Sequence, residues 1–343
     1  MKKSAVVIFP GRGTYAKPEL GYLKRLHQDQ GDFIATVDAW RASQNRTPIS
    51  ELDAAKSYSA ARHASSVNAS ALIYTCALCD FAKINRDKYE ISAICGNSLG
   101  WYLSLAAAGA LSPENAIRLV DTMGAQMEEK GVGGQIVYPV TDENWRPSET
   151  AKRAVEEALA AGAKAGAAHL SIALGGMAVL AGDEAGLAAM EAALPRVQDD
   201  RYPFRLARHA AFHTPLLKHV SQDAFAALPR SMFQAFATPL IDGRGAVWSP
   251  WAPDLDALYQ YTLGHQIVEP YDFSKSVEVA IKEFAPDVLI LAGPGSTLGV
   301  PIGQALIEHR WKGLTSKQDF ADLQARDPFL LAMGREDQRN LVV

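Results

Sequence analysis

The stretch Gly96-Asn97-Ser98-Leu99-Gly100 carries the strongest chemical signal in the chain. A short apolar run, Ile91–Cys95, precedes it, and a helical pattern from Leu99 to Ala108 follows. Gly-x-Ser-x-Gly between a strand and a helix is the setting of a nucleophile elbow. The turn is so tight that Gly96 and Gly100 must avoid side-chain collisions, which thrusts Ser98 out of the sheet. Its hydroxyl then lies at a helix N-terminus, where the macrodipole and free N–H groups favour a developing oxyanion. The Leu99 N–H is the natural first donor to that oxyanion. The plain alternative is a glycine-rich turn without chemistry, because the tripartite pattern alone recurs by chance.

A serine hydroxyl is a weak nucleophile unless a base takes its proton. Of the eight histidines, two fall in the stretch Arg208-His209-Ala210-Ala211-Phe212-His213-Thr214-Pro215. That stretch lies after an expected strand and at the start of an expected helix. His213, directly before Thr214-Pro215, is the leading base, and His209 is its competitor.

The elements that must position these groups alternate. Ser4–Phe9, Ile91–Cys95, Thr238–Ile241 and Asp287–Leu291 read as buried strands. Helical patterns fill Pro18–Ala42, Ser66–Ala82, Leu99–Ala108, Pro113–Glu128, Pro215–Ala227, Leu255–Leu263, Phe273–Glu283 and Leu298–Glu308. Such alternation predicts an α/β layer with a mainly parallel sheet. Between Gly131 and Ala207 the order changes to strand, helix, strand, strand, helix, strand, which suits a small ferredoxin-like unit. The expected organisation is therefore a discontinuous large domain, 1–131 and 208–311, with an inserted small domain, 132–207. Residues 312–343 read as a C-terminal extension.

The chain has 343 residues, 48 % of them hydrophobic and 21 % charged, an ordinary globular composition. A formal net charge of −4 argues against a nucleic-acid partner. No apolar run approaches a membrane span, and the N-terminal apolar stretch breaks at Pro10-Gly11, too early for a secretory signal. The three cysteines exclude a disulfide scaffold, and a cytoplasmic location is expected. Cys76-x-x-Cys79 lies within an apolar helical pattern, so no metal is expected there. Gly293-Pro294-Gly295 reads as a packing turn and not as a dinucleotide loop.

Four ordered motifs carry a family resemblance. Phe9-Pro10-Gly11-Arg12-Gly13 is similar to a Phe-Pro-Gly-Gln-Gly opening loop, and the Ser98 stretch to a Gly-His-Ser-Leu-Gly elbow. Ala210-Ala211-Phe212-His213-Thr214-Pro215 resembles a His-Ala-Phe-His-Ser-Pro signature, and Gly293-Pro294-Gly295 a late Gly-Pro-Gly turn. These belong to the malonyl-CoA:acyl-carrier-protein transacylases and the acyltransferase domains of polyketide synthases. The resemblance spans roughly residues 4–310. It implies an α/β-hydrolase-like large domain and a ping-pong acyl transfer in fatty-acid or polyketide biosynthesis. His213 would activate Ser98, an acyl-CoA would acylate it, and the phosphopantetheine thiol of an acyl carrier protein would accept the acyl group. No cofactor is implied. The oxyanion hole would use the N–H groups of Leu99 and Arg12. A backbone carbonyl at Gln266, four residues before Pro270, would orient His213.

The departures concern substrate. Met123 stands where malonyl-using members place a carboxylate-binding arginine, and methionine cannot pair with a carboxylate. An acyl group without a terminal carboxylate is therefore expected. Asn97 and Asn68 stand at two further pocket positions, the second where a glutamine is common. Arg12 replaces the loop glutamine. Its side chain could supply a cation from another direction, but a solvent-facing arginine is the expectation. A serine acyl hydrolase on the same scaffold, clearing acyl groups from carrier proteins, is the alternative function.

Overall fold

A computed structural model describes all 343 residues. Its strands are β1 (Lys3–Phe9), β2 (Tyr89–Gly96), β3 (Gly134–Pro139), β4 (Ala168–Leu174), β5 (Met177–Gly182), β6 (Phe204–Leu206), β7 (Leu240–Ile241), β8 (Val247–Trp248), β9 (Tyr271–Asp272), β10 (Val288–Leu291) and β11 (Leu330–Ala332). The larger sheet has the order β11-β10-β1-β2-β7-β8. All its neighbours are parallel except β8, which runs antiparallel to β7. Ala5 to Phe9 are wholly inaccessible. A parallel strand covered on both faces reads as an unbroken apolar run, which is how β1 and β10 look in the sequence.

The smaller sheet has the order β6-β3-β5-β4-β9. Its first four strands are antiparallel, and the helices Glu149–Ala165 and Glu184–Ala193 complete the expected strand–helix–strand–strand–helix–strand unit. Ile136, Tyr138, Leu180, Leu187 and Met190 belong to a separate small core there. β9 comes from the large part of the chain and pairs parallel with β4. The β4–β5 hairpin also docks on the large part, where Gly176 N–H donates to Gln304 Oε1 at 3.0 Å.

Two segments differ from expectation. Pro18–Ala42 is not one helix but a 3₁₀ turn at Lys17–Glu19 and two helices, Tyr22–Leu26 and Gly31–Ser43. Gly21 takes the left-handed φ of +81°, and His27 turns inward to Asp80 at 2.9 Å, so the chain bends twice. The helix from Leu255 does not stop at Leu263; it passes through a π turn, Tyr261–His265, and ends at Val268. The terminal segment, 312–343, supplies β11 at the sheet edge and a helix, Glu336–Val342. No helix is long and apolar enough to cross a membrane.

Arg339, from that last helix, reaches the buried carboxylate of Asp80. Tyr22 Oη (2.8 Å) and Gly293 N–H (2.8 Å) donate to the same carboxylate. Removing one partner of a buried ion pair strands the other charge, at a cost of ~3–5 kcal/mol. Arg339→Ala should therefore lower the stability to urea by about 3 kcal/mol, the low end, because the other donors remain. An unchanged unfolding midpoint would show that the terminal helix contributes no stability through Asp80.

Candidate active site

Ser98 leaves the end of β2 with φ 55° and ψ −109°, a backbone that L-residues rarely adopt. Strain of this kind persists only where the surroundings over-determine it. A Cβ on Gly96 would meet the Gly100 carbonyl at 2.4 Å, and one on Gly100 would meet the Phe9 carbonyl oxygen at 2.3 Å. Asn97 N–H donates to that same Phe9 oxygen at 3.0 Å. The elbow is thus pressed against the end of β1, and only glycine fits at its two flanks. The helix Leu99–Ala108 starts directly behind Ser98.

Ser98 Oγ lies 2.7 Å from His213 Nε2. His213 Nδ1 lies 2.6 Å from the Gln266 carbonyl oxygen. A carbonyl only accepts, so Nδ1 carries the proton and Nε2 is left to accept from Ser98. Burial pushes the His213 pKa down to about 4, although the bond to Gln266 opposes the shift. The ring is therefore neutral at neutral pH and free to take a proton. His209 does not reach Ser98. Its Nδ1 lies 2.8 Å from Gln135 Oε1, and burial, followed by the charge of Arg12, holds its pKa near 3. Of the two histidines, His213 is the one in contact with Ser98.

The Gln266 carbonyl is available because it lies in the last turn of a helix closed before Pro270. The last carbonyls of a helix have no intrahelical N–H to accept from. The Gln266 side chain also serves the site. Its Nε2 donates to the Ser98 carbonyl at 3.2 Å, and its Oε1 accepts from Tyr102 Oη at 2.9 Å. Tyr271 Oη donates to the Gly96 carbonyl at 2.5 Å, and its ring lies 5.3 Å from the His213 ring. Tyr102 and Tyr271 were not foreseen. The position of Tyr102, one helical turn beyond Ser98, was a usable signal.

Ser98 opens on a narrow cleft of about 60 Å³ whose lining includes Arg12, Leu99, Met123, Phe212 and His213. Leu99 and Arg12, the expected oxyanion donors, thus share one cavity with Ser98. Met123 faces it from the helix Pro113–Lys130. Arg12 does not point to solvent. Its guanidinium lies 5.0 Å over the Phe212 ring and donates to Ser66 Oγ and, at 2.8 Å, to the Arg208 carbonyl. An aromatic face and two acceptors turn the side chain inward.

Asn97 and Asn68 are outside the cleft lining. Asn97 is buried against Gly11, on which a Cβ would lie 2.9 Å from the amide nitrogen of Asn97. Asn68 accepts from the guanidinium of Arg41, a wholly buried residue paired with Asp121 at 2.6 Å. Its amide nitrogen donates to the Arg62 carbonyl at 2.9 Å, so both ends of the side chain are engaged. Cys76 and Cys79 are buried thiols of the helix Ser66–Lys83, with pKa values raised by burial.

No protein-family model matches the sequence, and no curated protein matches it. Solved structures do match in fold. Malonyl-CoA:acyl carrier protein transacylase from Xanthomonas oryzae superposes with a TM-score of 0.74 at 18 % identity, covering 99 % of this chain and 98 % of the other. Acyl-carrier-protein S-malonyltransferase from Burkholderia pseudomallei gives 0.75 at 19 % identity, covering 99 % of each chain. The malonyl-CoA:acyl carrier protein transacylase of Synechocystis gives 0.75 at 17 % identity, again over 99 % of each. The chain has the mixed α/β fold of these proteins.

The low pKa of His213 has a measurable consequence. Labelling of Ser98 by a fluorophosphonate needs the neutral base, whose loss on acidification should come near pH 4. The labelling rate should stay flat from about pH 8 down to about pH 5.5, where a free histidine of pKa ~6.5 would already be mostly protonated. An inflection near pH 6.5 would contradict the buried, neutral base.

Proposed function

We propose that the protein moves an acyl group from an acyl-CoA to the phosphopantetheine thiol of an acyl carrier protein, through an acyl-Ser98 intermediate. The observation that carries this reading is the line Gln266 carbonyl, His213 Nδ1, His213 Nε2, Ser98 Oγ, with bonds of 2.6 and 2.7 Å, at the mouth of a narrow cleft. Its support is the fold shared with structures described as transacylases and S-malonyltransferases.

The chemistry follows from the geometry. His213 Nε2 accepts the Ser98 proton while Oγ attacks the thioester carbonyl carbon. The carbonyl oxygen becomes anionic, and the Leu99 and Arg12 amides are its expected donors. The C–S bond breaks, the sulfur takes the proton from His213, and the thiol leaves. A carrier thiol then repeats the steps in reverse order. Thiols ionise near pKa ~8.5, so a thiolate leaves with little assistance. A weakly basic histidine held by a carbonyl instead of a carboxylate suits such a leaving group.

Exposed Arg208 and Lys218 flank the His213 loop and could meet an acidic carrier, whereas Arg205 is already paired with Glu184 (2.9 Å) and Glu191 (3.1 Å). The cysteines are free, as suits a reducing compartment such as the cytoplasm.

Intact-protein mass after brief mixing with an acyl-CoA tests the reading. An acyl increment should form on the native protein, be absent in Ser98→Ala, and pass to an added phosphopantetheinylated carrier. His213→Ala should slow acylation by ~10²–10⁴. Release of the free acid at the same rate with and without carrier would make the protein a hydrolase instead. An increment that survives Ser98→Ala would remove Ser98 as the nucleophile.

A further inference from the structure

The opening loop of this protein is held from outside itself. Between Gly11 and Thr14 no main-chain group is hydrogen-bonded to another main-chain group. Arg12 lies in that stretch, and its amide is the expected second donor to the oxyanion. A donor serves an oxyanion only where it is fixed before the reaction. Packing on either side is what fixes the main chain here. On the elbow side Asn97 presses on Gly11. On the other stands the Gly293-Pro294-Gly295 turn. A Cβ on Gly293, which has φ +110°, would lie 3.0 Å from the Pro10 ring, and one on Gly295 would lie 2.8 Å from the Thr14 carbonyl oxygen.

The end of the chain holds this turn. Gly293 N–H donates at 2.8 Å to Asp80, which is wholly buried and needs a cation beside it. Arg339, on the last helix, supplies one, and its guanidinium also donates to the Met333 carbonyl at 3.2 Å. Met333 N–H donates at 2.9 Å to the carbonyl of Leu291, two residues before the turn. Gly334 comes next, and a Cβ there would lie 2.1 Å from the Gly295 carbonyl oxygen. The C-terminal segment thus closes on Asp80 and on both glycines of the turn, and the turn bears on the opening loop.

We propose that the C-terminal segment positions the opening loop for catalysis. Arg339, through Asp80, and Gly334, by direct contact, hold the turn against Pro10 and Thr14 and so keep the Arg12 amide in place for the oxyanion. The inference rests on the acyl-Ser98 reading above, with Arg12 as an oxyanion donor. Arg339, Asp80 and Gly334 touch no reacting atom; they are positioning residues. The last helix then serves the reaction as well as the stability of the fold.

The test is labelling of Ser98 in the full-length protein by a fluorophosphonate, whose phosphoryl oxygen takes the oxyanion position. Intact mass gives the maximal rate and the half-saturating concentration separately, at a temperature where circular dichroism shows each variant folded. Arg339→Met keeps the aliphatic stem and removes the cation. It should lower the maximal rate on the order of 10-fold, a fraction of the ~10²–10³ lost with a whole oxyanion donor, and leave half-saturation unchanged. Arg339→Lys should restore most of the rate. The pH profile should stay native in both, because His213 is not touched. Gly334→Ala pushes on the turn without entering the Asp80 cluster and should slow labelling in the same way, so the test stands even where Arg339→Met folds poorly. A native maximal rate in either Arg339→Met or Gly334→Ala, or a fall that only tracks the folded fraction, would overturn the proposal and leave the acyl-serine standing. Labelling that survives Ser98→Ala, or none on the native protein, would overturn the acyl-serine reading, and this proposal with it.

Discussion

A helix that stops before Pro270 leaves the Gln266 carbonyl without an amide to meet, and His213 and Ser98 are aligned on that unfilled acceptor. The carbonyl fixes which nitrogen of His213 holds the proton. That choice turns the other nitrogen to Ser98. Ser98 and His213 both have positive φ, 55° and 57°, so neither backbone would relax into this geometry unaided. The Gln266 amide completes the arrangement by holding the Ser98 carbonyl. One residue therefore restrains His213 through its main chain and Ser98 through its side chain.

The small unit takes part in this restraint. Ser171 on β4 accepts from Gln135 on β3 and donates to the Phe212 carbonyl, both at 2.7 Å. Phe212 is thus pinned by the smaller sheet, while the His213 ring points to Ser98 beside the larger one. Tyr271 reaches the other way: it lies on β9 in the smaller sheet, and its hydroxyl holds the Gly96 carbonyl at the elbow. A change in how the two sheets meet would be felt at both Ser98 and His213.

The legible parts of the site were the local ones. The Ser98 elbow needs two glycines at fixed offsets between a strand and a helix, and a sequence shows all of that. The element order of the small unit was legible for the same reason, since its strands and helices follow one another in one continuous segment. His213 emerged from a loop motif, but its advantage over His209 depends on a contact made across the fold. The side-chain direction of Arg12 depends on Phe212, Ser66 and Arg208, which lie 54 to 200 residues away in sequence, and nothing local encodes it. The orientation of Asn68 is hidden for a similar reason, because Arg41 claims its oxygen from another helix. The break at His27 likewise answers to Asp80, a partner that local periodicity cannot reveal.

The position of β10 between β1 and β11 bears on how the chain is made. β1 and β2 can pair as soon as residue 96 has emerged, but the other edge of β1 is covered only by Val288–Leu291. Roughly 200 residues of further synthesis separate the two events, on the order of 10–40 s at ~5–20 residues per second. For that interval the nascent chain carries an apolar strand with an open row of amides and carbonyls, the feature that invites pairing with other chains. The small unit, built from nearby segments, can close during the wait. Biogenesis of this protein is therefore a problem of shielding its first strand until one of its last arrives.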